Sequence, residues 1–270
     1  MELEVDGFAG GDERGDAAQD LGVISKRHGE PVYLKTDGSL ALGFEIVSQP
    51  LTIEEWNQQM WLAEMCESVK ENGGRSFETQ SCGVHLHRSR KDLSELDLSK
   101  LVVMFMRLQP YFERVAQRRE NGYCSYAYFQ EKAVLGKVEF EPPKLCRKVV
   151  YKAIHSADPT IMQKYMAINL CNADTVECRI FRGTLCVESL LAYVHFYHYL
   201  LEFVKNGGVK YETIVNMEQK ELWAMLAAFL AGHSLVLQTY FEKKEITEKS
   251  EKKIVRMARK IAARGGRDAV

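Results

Sequence analysis

The sequence predicts an α+β fold, a curved and mainly antiparallel sheet with helices on one face. Segments of period two and segments of helical period are both plentiful, yet they do not follow the strict strand-helix-strand alternation of a parallel sheet. The chain has 270 residues, 46% of them hydrophobic, with no repeat, low-complexity tract or Pro/Gly/Ser-rich linker. That is enough apolar surface for one full core, so residues 1–246 are expected to form a single domain, followed by a basic tail at 247–270.

Strands are expected at Glu2–Val5, Val32–Lys35, Ser39–Ser48, Cys82–His87 and Thr175–Phe181, where apolar residues alternate with polar ones. Helical periodicity marks Ile53–Asn72, Ser99–Arg119 with a kink at Pro110, Ser189–Asn206 and Glu218–Ala231. Gly73-Gly74 and Gly207-Gly208 stop two of these. Asp97 with its neighbours Asp92 and Glu95 reads as helix capping, since calcium-loop spacing is lacking. Residues 6–30 and 120–150 read as loops. In the tail, Ile254, Met257, Ala258, Ile261 and Ala262 form a stripe opposite lysines and arginines, which predicts an amphipathic helix from Thr247 to Arg264.

Charge excludes one broad class of function. With 36 basic and 37 acidic side chains the net charge is -1, so a generic polyanion binder is not expected, nor a specific nucleic-acid partner. The seven cysteines, odd in number and scattered, read as free thiols in a reducing compartment, with the cytoplasm as the expected location. Leu222–Phe241 is uncharged for twenty residues, but Gly232, His233, Ser234, Gln238 and Thr239 interrupt it. A core helix is expected there rather than a membrane span.

Alternation shows what the strands present, because successive side chains face opposite sides of a sheet. Leu40, Leu42, Phe44 and Ile46 would share one face, leaving Ala41, Gly43 and Glu45 on the other, where the small neighbours would leave space above the carboxylate for a ligand. Cys82, Val84 and Leu86 would face the core, so His85 and His87 project together. Val176, Cys178 and Ile180 would face inward, and Glu177 and Arg179 outward. Leu3 and Val5 do the same for Glu2 and Glu4. Carboxylates, two imidazoles and an arginine thus gather on one face. So oxygen-rich a donor set suits Mg²⁺ or Mn²⁺ better than zinc.

Lys35-Thr-Asp-Gly-Ser-Leu40, Gly43-Phe-Glu-Ile-Val-Ser48, Ser81-Cys-Gly-Val-His-Leu-His-Arg-Ser89, Ala167-Ile-Asn-Leu170 and Asp174-Thr-Val-Glu-Cys-Arg-Ile-Phe-Arg-Gly-Thr184 carry a further signal. Together they resemble the amidoligase family, which is similar in fold to glutamine synthetase and the carboxylate-amine ligases. The likeness spans roughly residues 1–205. It implies a glutamine synthetase-like catalytic domain that uses ATP and Mg²⁺ (or Mn²⁺) to join a small-molecule or peptide carboxylate to an amine through an acyl phosphate.

The resemblance also implies roles. Glu2 and Glu4 match the paired glutamates of the family's first strand, although only Met1 precedes them here. Asp37 and Glu45 match the acidic pair completing the first metal site. His85 matches the ligand of the nucleotide-side metal, and His87 a histidine near the ATP phosphates. Glu177 matches a late metal-binding glutamate, while Arg179 would face the transferring phosphate. Arg182, Lys164 and Arg118-Arg119 are candidate contacts to phosphates or to a carboxylate substrate. The absence of a Gly-rich phosphate loop is consistent with this chemistry, which asks mainly for positioning and charge neutralisation. Three competing expectations stand beside it: a phosphotransferase on the same scaffold, a non-catalytic assembly protein, and a metal-dependent hydrolase using His85 and His87. The hydrolase lacks a third nitrogen ligand at suitable spacing.

His195 and His198, three apart on a helix, read as packed or surface histidines, and Cys82 and Cys178 as core thiols. Trp56 and Trp61 read as core and rim aromatics.

Overall fold

The structure, a computed structural model, describes residues 1–77, 79, 81–119, 124–125, 165–206 and 209–246. The predicted tail helix, Gly207-Gly208, Lys164 and nearly all of the 120–150 loop lie outside the described residues.

Six strands form one sheet: β1 (Glu2–Val5), β2 (Val32–Lys35), β3 (Phe44–Ser48), β4 (Gly83–Ser89), β5 (Ile168–Asn169) and β6 (Thr175–Arg182). Their order is β2-β3-β1-β4-β6-β5, every neighbouring pair antiparallel. The Glu-x-Glu strand therefore lies inside the sheet, between β3 and β4. Its alternate residues Leu3 and Val5 join Phe44, Ile46, Val84, Leu86, Val176 and Cys178 in the core.

Nine helices are described: α1 (Gly11–Arg27), α2 (Ile53–Trp56), α3 (Trp61–Glu71), α4 (Glu95–Arg107), α5 (Gln109–Ala116), α6 (Val187–Asn206), α7 (Tyr211–Asn216), α8 (Gln219–His233) and α9 (Leu235–Lys243). The long α6 anchors the apolar side of the sheet. Phe181 of β6 stacks on Tyr193 at 4.5 Å and meets Phe196 edge-on at 6.1 Å, while the Tyr197 hydroxyl donates to the Val176 carbonyl at 2.9 Å.

Several expectations change. The strand expected over Ser39–Ser48 begins only at Phe44, because the Asp6 carboxylate captures the amides of Ala41 and Leu42 at 3.0 and 2.9 Å and holds 39–43 as a loop. Leu42 is accordingly 40% exposed rather than inward. Gly43 leaves no ligand space either: a Cβ there would fall 2.1 Å from the Val5 carbonyl oxygen, so the missing side chain admits a neighbouring strand. The Ile53–Asn72 helix is two helices: Asn57 makes the last i→i−4 bond of the first, to Ile53, its side chain bonds His195, and Gln58 and Met60 then pair over shorter spans. Pro110 separates two helices instead of kinking one, occupying the first turn of α5 where its missing N–H costs nothing. The segment 6–30 contains the seventeen-residue α1, whose apolar face is thin, only Ala17, Leu21 and Ile24 being buried and apolar.

Other expectations hold. Asp97 closes a capping box with Ser94 at the start of α4. Cys82 and Cys178 are buried, and burial pushes the Cys82 thiol up to about 11; Trp56 and Trp61, read as core and rim, are both core. The uncharged stretch breaks at Ser234, whose hydroxyl caps α9; among the described residues no helix is long and apolar enough to cross a membrane.

Candidate functional site

The face of the sheet opposite α6 carries the ionisable residues, and strand register sets them in rows. Lys35, Glu45 and Glu4 stand side by side across β2, β3 and β1. Glu2 stands beside His85 of β4. His87, Glu177 and Asn169 form a third row across β4, β6 and β5. Asp37 enters from the turn after β2, its carboxylate fixed by the Ser39 amide at 2.6 Å and hydroxyl at 2.5 Å.

These rows converge. Glu2, Glu45 and His85 each offer a ligand atom within 4.8 Å of the others, and so do Glu2, His87 and Glu177, and Glu4, Asp37 and Glu45. Glu2 and Glu45 each belong to two of the triads. Every member of the triads was legible by alternation or by motif; Asn169, which donates to Glu177 at 2.7 Å, lay in one of the runs that carry the resemblance but had no role assigned to it.

Like-charge crowding here has measurable signs. Burial holds the Glu4 and Glu45 carboxyls above the usual glutamate range, and each is raised further by a neighbouring carboxylate. Glu4 keeps an accepted bond from the Gly83 amide, and Glu45 one from Lys35 Nζ at 2.8 Å. Burial acts on Glu2 too, but the imidazoles of His85 and His87 overcome it and hold that carboxyl well below the usual range.

Of the five buried side-chain polar atoms without a hydrogen-bond partner among the described residues, one lies in this cluster. His85 is 3% exposed, and its Nδ1 makes no hydrogen bond. It lies 3.5 Å from a Glu2 oxygen and 3.7 Å from a Glu177 oxygen. A buried ring nitrogen left unbonded between carboxylate oxygens fits a cation ligand, and the donor set, rich in oxygen with one or two nitrogens, fits Mg²⁺ or Mn²⁺.

Arginines border this cluster. Arg179 pairs with Glu177 and lies 5.7 Å above the Tyr165 ring. Between them and the end of β6 the ladder shifts register: Leu86 faces Cys178 but Val84 faces Phe181, so β6 carries an extra residue. Phe181 thereby comes to stand opposite Val84, while Ile180, 1% exposed, stays in the core as expected. Arg118, just after α5, reaches the same stretch and donates to the Arg179 and Phe181 carbonyls. Arg182 goes elsewhere. It is exposed and lines a groove with Glu67, Lys70, Phe77, Cys186 and Glu188.

Outside this face, His195 is buried between Ser234 and Asn57, bonded to each at 2.8 Å, and burial lowers its pKa to about 4. That is a packed histidine, as expected.

The family model described as "Putative amidoligase enzyme" matches residues 12–200. The matched span includes Asp37, Glu45, His85, His87, Glu177, Arg179 and Arg182 and begins after β1. No curated protein and no solved structure matches the chain.

Proposed function

Because this chain belongs to the amidoligase family, we propose that it is an ATP- and Mg²⁺-dependent (or Mn²⁺-dependent) carboxylate-amine ligase of glutamine synthetase type. The observation that carries the reading is the convergence of Glu2, Glu4, Asp37, Glu45, His85, His87 and Glu177 on one sheet face around the unbonded His85 Nδ1. When bound there, divalent cations supply neutralisation of phosphate charge.

In this reading Glu4, Asp37 and Glu45 hold one cation, while Glu2, His85, His87 and Glu177 hold the nucleotide side. A substrate carboxylate oxygen attacks the γ-phosphorus and ADP leaves. The amine nitrogen then attacks the acyl carbon, phosphate departs, and the amine loses one proton. Arg179 presents its planar fork to the phosphate oxygens, where a lysine would offer a point charge. Arg182, in its separate groove, belongs to substrate recognition at most.

Incubation with ATP, Mg²⁺ and pools of amino acids and amines tests this, with phosphate release and new amide masses as the readout. An ¹⁸O-labelled carboxylate is expected to pass one label to phosphate. Phosphate transfer to an acceptor without amide would show a phosphotransferase instead.

A further inference from the structure

We infer that Arg118 is a positioning residue, a clamp on the irregular stretch of β6 that sets where Arg179 and Glu177 stand; the effect on turnover rests on the ligase reading, the clamp itself does not.

Three observations converge on it. Gln117 ends α5 in the left-handed region, at φ 55°, which turns the chain and delivers Arg118 to the sheet. The register shift at Val84/Leu86 breaks the regular β4-β6 ladder beside Arg179, Ile180 and Phe181, and Arg118 meets the carbonyls of this irregular stretch. Its Nη1 lies 3.4 Å from the Arg179 carbonyl oxygen and 3.3 Å from that of Phe181. Burial lowers the guanidinium's pKa, Cys124 and Glu4 offset part of this, and the nearby Arg179 charge adds to the lowering, so the cation is held there at a cost.

The third observation is Gly83. A Cβ at this position would sit 2.5 Å from Arg118 Nη1 and 3.3 Å from His85 Nε2. The absent side chain is the space the guanidinium occupies. Because the closest atom is the far end of a flexible side chain, Gly83→Ala should fold and expel Arg118 from its carbonyls; the His85 ring must also give by a few tenths of an ångström, so amide exchange is the decisive readout for this variant and turnover for Arg118→Ala.

That gives two independent ways to open the clamp, one removing the charge and one keeping it. Arg118→Ala and Gly83→Ala are both expected to speed backbone amide exchange over Arg179–Arg182, with α8 and α9 unchanged. Both should also cut ATP-dependent turnover at saturation by roughly 10- to 100-fold, as lost supporting contacts do elsewhere, with KM for Mg-ATP altered less than about threefold. Arg118→Lys should recover part of the loss, since an ammonium can still donate to the carbonyls, whereas adding it to Gly83→Ala should not help. If amide protection over Arg179–Arg182 is unchanged in both variants, the clamp is overturned whatever the chemistry. If the wild type itself turns over no ATP, the ligase reading fails, and the exchange data alone decide the clamp. Loss of protection with wild-type turnover would overturn the claim that Arg118 positions Arg179.

Discussion

Replacing Glu45 by glutamine should stabilise the metal-free protein slightly and blunt its response to metal. Glu45 is 3% exposed and stands directly opposite Glu4 in the β1-β3 ladder, where like charges cost ~0.2–1 kcal/mol. Losing the Lys35 pair gives some of that back, but the lysine side chain is 51% exposed and such pairs contribute only ~0–1 kcal/mol. The net apo gain is therefore at most ~1 kcal/mol, or about 2–4 °C for a domain of this size. Its size depends on pH. The raised Glu45 pKa means the folded chain takes up that proton at higher pH than the unfolded chain, so the advantage of Glu45→Gln should vanish as pH falls toward the ordinary glutamate value. Metal reverses the ranking. Glu45 serves two of the three ligand triads, and losing a ligand should weaken binding at least ~10- to 100-fold, removing ~1.4–2.7 kcal/mol of metal-linked stabilisation, or about 3–10 °C. Differential scanning fluorimetry at pH 7.5 with chelator and then with millimolar Mn²⁺ measures both. A variant that melts well below the wild type in chelator yet gains as much from Mn²⁺ would make Glu45 a structural residue and refute the reasoning.

Arg179→Lys is expected to stay folded and bind Mg-ATP nearly as before while turnover falls by about 2–4 kcal/mol in barrier terms, because charge builds on the phosphate oxygens only during transfer; equal loss in affinity with normal turnover would contradict it. Glu177→Ala should abolish turnover but, unlike Glu45→Gln, should lower the thermal midpoint in chelator, since it strips Asn169 and Arg179 of their carboxylate; normal turnover per folded molecule would make it structural. For His195, whose folded pKa of about 4 lies below the ordinary 6.5, stability is present above pH 6.5 and lost as pH falls from there toward 4, on the order of 3 kcal/mol. Urea titrations should show that slope in the wild type and its absence in His195→Gln.

Much of this face was legible from alternation alone, because a side-chain period of two leaves no choice once Leu3, Val84 or Cys178 is assigned to the core. Strands β1, β2 and β4 and their outward Glu2, Glu4, His85 and His87 follow from that rule. It failed where a local bond outbid the ladder. Asp6 reaches across thirty-five residues to capture the Ala41 amide, which no window of sequence reveals, and the extra residue in β6 sets Phe181 opposite Val84. Arg118 was visible as a candidate but not as a clamp, since its partners are backbone carbonyls of a strand sixty-one and sixty-three positions away. Arg182 looked like a companion of Arg179 by motif, yet the chain directs it to another groove. Helix α1 was missed because four glycines in and beside it, at 10, 11, 15 and 22, weaken the helical signal of a segment buried by only a thin stripe.

The central claim, that this face holds a divalent cation through His85 among the carboxylates, is tested most directly by pulsed electron paramagnetic resonance of Mn²⁺ bound to the protein. Expected is stoichiometric Mn²⁺ with an imidazole nitrogen coupling that weakens in His85→Asn and disappears once His87 is replaced as well, while some binding persists through the carboxylates. Mn²⁺ that shows no nitrogen coupling in the wild type, or a coupling that survives His85→Asn unchanged with His87 also replaced, would contradict it.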